Sequence, residues 1–158
     1  MLLINPGEGA SRGDGEDENH RVLIDQFRSG LVPIESIFDH QRGDIKNWGR
    51  GRFVSFYESL GLNICDLAIA NVAWCGTKGN RYPASMLNDC FKLHTAPLIK
   101  ELRPDVVLLG GTRVHPFEES VRLILPYARL VLTPHYAHRK GGDYQRTKSE
   151  RIKAEMAS

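Results

Sequence analysis

The sequence predicts an α/β fold, a three-layer α/β/α domain on a central, mainly parallel four-stranded sheet. Three observations predict it. Four short apolar segments lack polar alternation, as strands covered on both faces do. Segments with apolar residues at helical spacing lie between them. Strands alternating with helices then close most simply as right-handed, doubly wound layers. The predicted strands are Leu2 to Ile4, Leu67 to Trp74, Asp105 to Gly110 and Ala128 to Thr133.

Each helix has its own signal. Val22, Leu23, Gln26 and Phe27 share one helical face, which ends near Gly30. Phe53, Phe56, Tyr57 and Leu60 repeat at helical spacing, with Gly61 placed to close the helix in a left-handed conformation. Met86, Leu87, Cys90, Phe91, Leu93 and His94 predict a third helix, kinked or broken at Pro97. Pro116 suits the first position of a fourth helix carrying Phe117, Val121 and Ile124. Two stretches show no clear period. Glu8 to Glu18 holds five carboxylates and one arginine and reads as a mobile surface loop. Gly30 to Gly51 reads as a long excursion, a feature more often functional than accidental.

A chain of 158 residues predicts one domain spanning 1–158. The 41% hydrophobic and 25% charged fractions exclude a disordered chain, a collagen-like repeat and a coiled coil. Apolar runs fall far short of the roughly 18 residues that span a bilayer, so no membrane partner is expected. The start, Met-Leu-Leu-Ile before Asn-Pro-Gly, has no basic segment of a signal peptide. Three cysteines make no disulfide framework, which suggests a reducing, cytoplasmic setting; a monomer is expected. The net charge of +2 hides an asymmetry. Residues 1–79 carry 8 Lys/Arg against 11 Asp/Glu, and residues 80–158 carry 13 against 8. The basic excess concentrates in a tail from about residue 140, which can follow a phosphate backbone or simply be a solvated helix face.

In open parallel sheets, ligands bind outside the carboxyl ends of the strands. The residues leaving those ends are Asn5-Pro6-Gly7, Asn71 to Cys75, Gly110-Gly111-Thr112 and Thr133-Pro134-His135. The polar set is Asn5, Asn71 and His135. Two amides and an imidazole can hydrogen-bond a flat, neutral heterocycle, and they contain neither a nucleophile–base pair nor a carboxylate dyad. That favours base recognition over acyl transfer. Each has a plainer reading too: a turn cap for Asn5, a buried amide serving loop backbone for Asn71, a loop histidine for His135. A dinucleotide-binding reading of Gly7-Glu8-Gly9 is weaker, because the next glycine, Gly13, comes one residue late and Glu8 would face a pyrophosphate.

Ile4-Asn5-Pro6-Gly7, the run Ile69 to Pro83 (Ile-Ala-Asn-Val-Ala-Trp-Cys-Gly-Thr-Lys-Gly-Asn-Arg-Tyr-Pro), Leu102 to Gly110 and Leu132-Thr133-Pro134-His135-Tyr136-Ala137 together carry a family likeness. In order and spacing they resemble the uracil-DNA glycosylase superfamily, with features of its mismatch-specific and iron–sulfur branches. The resemblance covers roughly residues 1–7 and 52–139. It implies a base-excision hydrolase of DNA repair that flips a uracil or related damaged base out of DNA and cleaves its N-glycosidic bond. His135 would donate to the base carbonyl O2, Asn71 would read the pyrimidine edge, and Asn5 would position the attacking water. Phe53 would stack on the base, although its spacing with Phe56 and Tyr57 equally fits the core. Gly7, where bulk would exclude the methyl of thymine, permits a wider base range. Arg139 and Lys140 would meet DNA phosphates. The motif after His135 departs from the expected His-Pro-Ser or His-Pro-Ala. A non-catalytic nucleobase- or nucleic-acid-binding relative is therefore the alternative.

The resemblance also bears on cofactors. Cys75 and Cys90 fall where the iron–sulfur branch has two of its four cluster ligands, and Cys65 adds only a third thiol. No cluster is expected. His135-x-x-His138 lacks the converging cysteines or carboxylate that zinc needs, so no metal is expected either.

Overall fold

The structure is a computed structural model, and it describes residues 1–3, 14–44, 52–63, 66–74, 77, 81–136 and 142–158. It is a three-layer α/β/α fold on a four-stranded sheet in the order β2-β1-β3-β4. The strands are β1 (Leu2–Leu3), β2 (Ala70–Asn71), β3 (Val106–Gly110) and β4 (Arg129–Thr133), and every pairing is parallel. Two compact units divide the chain, one of Met1–Glu8 with Phe56–Ser158, the other of Gly9–Ser55.

All four predicted strands exist, but β1 and β2 are only two residues each. Leu67 to Trp74 forms ladder only at Ala70–Asn71, with one more bond from Val72 N–H to the Leu3 carbonyl at 2.7 Å. Val72 and Ala73 are nonetheless fully buried. The apolar run therefore marks burial, and only part of that burial is strand.

The helices of the first unit are α4 (Ala84–Cys90), α5 (Ala96–Leu102), α6 (Glu118–Ile124) and α7 (Gly142–Ala157), with the last residues of α3 (Arg52–Ser59). Val107 and Leu109 of β3 join Leu87, Phe91, Ile99, Phe117 and Val121 in one apolar cluster, with Leu130 and Leu132 packed against it. Leu108 and Val131, of opposite parity, are also buried and face the other layer. There α7 lies along β4 with Ile152 only 1% exposed. Burial on both faces is why these strands read as continuous apolar runs.

Pro97 neither breaks nor sharply ends the third helix. A π-helical turn over Phe91–Thr95 joins α4 to α5, and Pro97 then falls in the first turn of α5. The chain is already helical at Thr95, so the proline sits inside a continuous helical run directly after the π turn. Pro116 sits at the start of a 3-10 turn (His115–Phe117) that leads into α6.

The second unit holds α1 (Asp14–Arg28) and α2 (Ile34–Asp44), which pack on each other, and the start of α3. Two expectations change here. Residues 14–18 of the acidic stretch are helical, not loop, and open α1. The excursion from Gly30 to Gly51 contains α2, with Ile37 buried. The predicted cap at Gly61 holds, and the helix predicted to end near Gly30 ends there in the same way. At Gly30 (φ 71°) and Gly61 (φ 78°) the chain turns left-handed, and Leu31 N–H reaches Gln26 O at 2.9 Å while Leu62 N–H reaches Tyr57 O at 3.1 Å. These are Schellman closures, which glycine forms without a Cβ clash.

Candidate functional site

The sheet order reverses between β1 and β3, since the chain steps outward to β2 and later returns to the opposite side. Such a switch point opens a crevice at the carboxyl ends of the strands. The registers Leu3↔Asn71, Leu2↔Leu109 and Gly110↔Thr133 put Asn71, Leu3, Gly110 and Thr133 in one row across that edge. Three interstrand steps of roughly 4.8 Å make the row about 14 Å wide. That span suits a planar guest held by one side chain from each flank.

Gly110 packs tightly against the start of the chain and β1. A Cβ there would lie 2.7 Å from Met1 Cε, 2.9 Å from Leu3 Cδ2 and 3.2 Å from the Leu2 carbonyl. The absent side chain lets the two central strands meet at the switch.

Asn71 ends β2 and is half-buried. Its carbonyl accepts a hydrogen bond from Thr95 Oγ1 at 2.7 Å, and the same hydroxyl accepts from Trp74 Nε1 at 3.0 Å. Thr95 is fully buried in the π-helical turn, so that turn fixes where the chain leaves β2. Thr95→Val preserves shape but leaves the Asn71 carbonyl unmatched, and it is expected to cost about 1–3 kcal/mol in urea unfolding. An unchanged unfolding midpoint contradicts that role.

His135 follows β4 by two residues. The Thr133 carbonyl accepts from Gly111 N–H at 2.7 Å and from His115 Nε2 at 3.0 Å, which fixes the exit of β4. His135 lies over Gly111, its Cβ 3.5 Å from where a side chain on Gly111 would begin. Its ring rests on Tyr136, with centroids 4.5 Å apart. Burial, and secondly the charge of Lys148, lower its pKa below the ordinary 6.5. The ring is therefore neutral at pH 7.

That shift has a consequence for stability. With the folded pKa below 6.5, the unfolded chain takes up the proton first as pH falls. The stabilising contribution is complete above 6.5 and is lost as pH drops through the folded value. Thermal melts should show falling stability below pH 6.5, with a shallower slope in His135→Gln. Equal slopes in the two proteins contradict the assignment.

The remaining predicted site residues fall variously. Asn5, Gly7, Arg139 and Lys140 lie outside the described residues, as do Cys65, Cys75 and His138. Phe53, in α3, is only 2% exposed, which fits the core placement and leaves no open ring face for a stacked base. Cys90 is a buried free thiol at the end of α4. Among the described residues no three His, Cys, Asp or Glu side chains cluster as metal ligands. No helix among them is long and apolar enough to cross a membrane. Sequence reasoning missed Thr95, His115 and Lys148. The first two act on backbone carbonyls, which leave no signature in a sequence. No protein-family model, curated protein or solved structure matches the chain.

Proposed function

We propose that the protein is a monofunctional DNA glycosylase that hydrolyses the N-glycosidic bond of uracil or a similar base flipped into the carboxyl-edge crevice. One observation carries the reading. Asn71 and a neutral His135 leave opposite flanks of one row at the switch point. A neutral imidazole presents one N–H to a carbonyl oxygen, and a carboxamide presents one donor and one acceptor to a pyrimidine edge.

In the reaction the C1′–N bond breaks and its electron pair leaves with the base. The negative charge gathers on O2, where a neutral His135 would donate to it. Water then bonds to C1′ of the oxocarbenium sugar and loses its proton to solvent. Asn5, two residues beyond Leu3, would orient that water; an amide cannot act as its base. Water orientation and charge stabilisation then carry the rate. Arg139 and Lys140 would hold flanking phosphates, and no metal or cofactor enters.

The second reading, a base-binding relative without catalysis, is favoured by the five carboxylates between Glu8 and Glu18, close in sequence to Asn5 and repelled by a polyanion. One experiment separates the two. The protein is incubated with uracil-containing single-stranded and mismatched oligonucleotides, and abasic sites are cleaved with alkali. Strand scission supports the glycosylase. Retention of uracil-DNA with no abasic product assigns the binding relative.

A further inference from the structure

Lys148 of α7 is only 7% exposed, and its Nζ is buried with no hydrogen-bond partner among the described residues. Its nearest compensation is the ring of Phe56, whose centroid lies 5.1 Å from Nζ. A ring face offsets part of what an ammonium loses on leaving water, but it satisfies none of the three N–H bonds in the way an oxygen does. Buried ammonium groups are normally paired. This one waits for a partner.

The surroundings indicate which partner. Lys148, Thr147, Arg151, Pro134 and Ile152 line a cavity of about 150 Å³. Water takes about 30 Å³, so a tetrahedral oxyanion fits with space to spare. Among the described residues the lining supplies an ammonium, a guanidinium and a hydroxyl, and no carboxylate. Arg151, 65% exposed and bonded through Nε to Glu155 at 2.9 Å, stands at the solvent side. Pro134 immediately precedes His135, so the cavity adjoins the exit of β4.

We propose that Lys148 and Arg151 form a phosphate-binding pocket beside the His135 end of β4. Its fit to a phosphate does not depend on the glycosylase reading; only the choice of a nucleic-acid phosphodiester over a free phosphate monoester rests on that reading. Bound there, a phosphate oxygen accepts from Lys148 Nζ, and a second is within the compass of the guanidinium, in charge-assisted bonds.

The test is calorimetric titration of the full chain with inorganic phosphate and, separately, with an undamaged oligonucleotide bearing no terminal phosphate. Lys148→Met removes the buried charge and keeps the stem, so it should fold at least as stably as the parent. Phosphate should bind saturably, weakening about tenfold or more in Lys148→Met and by a smaller factor in Arg151→Gln. Tighter Lys148-dependent binding of the oligonucleotide assigns a backbone phosphodiester, and tighter binding of inorganic phosphate assigns a monoester. Equal affinities in wild type and Lys148→Met, or no saturable binding of either probe, overturn the pocket. Lys148-dependent phosphate binding without base release keeps the pocket and removes the glycosylase reading. Base release with phosphate affinity unaltered by Lys148→Met does the reverse.

Discussion

Replacing His135 with alanine is expected to slow base release from uracil-DNA by roughly 100- to 1,000-fold, the scale of losing one preorganised donor to a developing oxyanion. The loss should fall on kcat, because the charge on O2 develops only in the transition state. Asn71→Ala should behave differently. In the proposed reaction its amide would meet the base edge before and during bond cleavage, so KM should rise along with any fall in kcat. His135 is half-buried and lies outside the apolar cluster, so thermal stability at pH 8 should change little. Single-turnover assays on the two variants check this. A His135→Ala enzyme with normal kcat contradicts the role given to the imidazole.

The second large effect is structural. Leu109→Ala should destabilise the protein by about 2–5 kcal/mol, as deletions of fully buried leucines do. Leu109 is 0% exposed and is the next-to-last residue of β3, paired to Leu2 on one side and Leu132 on the other. Its side chain belongs to the cluster that ties the sheet to α4, α5 and α6. The cavity would also lie one residue from Gly110, so the switch point should loosen with the core. Urea unfolding measures the first effect. A loss below 1 kcal/mol would mean the site collapses around the deletion, against the tight packing seen here.

Much of this architecture was legible in the sequence because its causes are local. Val106 to Gly110 and Arg129 to Thr133 lie in near-continuous apolar runs, and burial on both faces leaves no other pattern. Gly30 and Gly61 each follow an apolar helical face, and a left-handed cap is what glycine there provides. α2 was not legible. Its apolar residues, Ile34, Ile37 and Phe38, occupy a single stretch, and Gly43 near its end lowers helix propensity. Nor was the passage through Pro97 legible, since a π-helical turn depends on packing more than on composition.

The candidate site divides in the same way. Asn71 and His135 were found by asking what leaves the carboxyl ends of strands, and the register places both strand exits on one edge. Thr95 and His115 support those exits through backbone carbonyls of Asn71 and Thr133. Only the folded chain reveals such partners. Lys148 lay in a basic run that suggested a solvated tail, yet it is buried on a helix whose Ile152 enters the core. Charge along the chain says how many cations there are, and the turn of α7 decides which one faces inward.

In the proposed site one planar guest touches both flanks of the carboxyl edge. This is tested most directly by titrating the labelled protein with free uracil and following the Asn71 side-chain amide and the His135 ring by heteronuclear NMR. Shifts of both signals along one saturation curve are predicted. Movement of one without the other, or of neither at saturating uracil, contradicts the account.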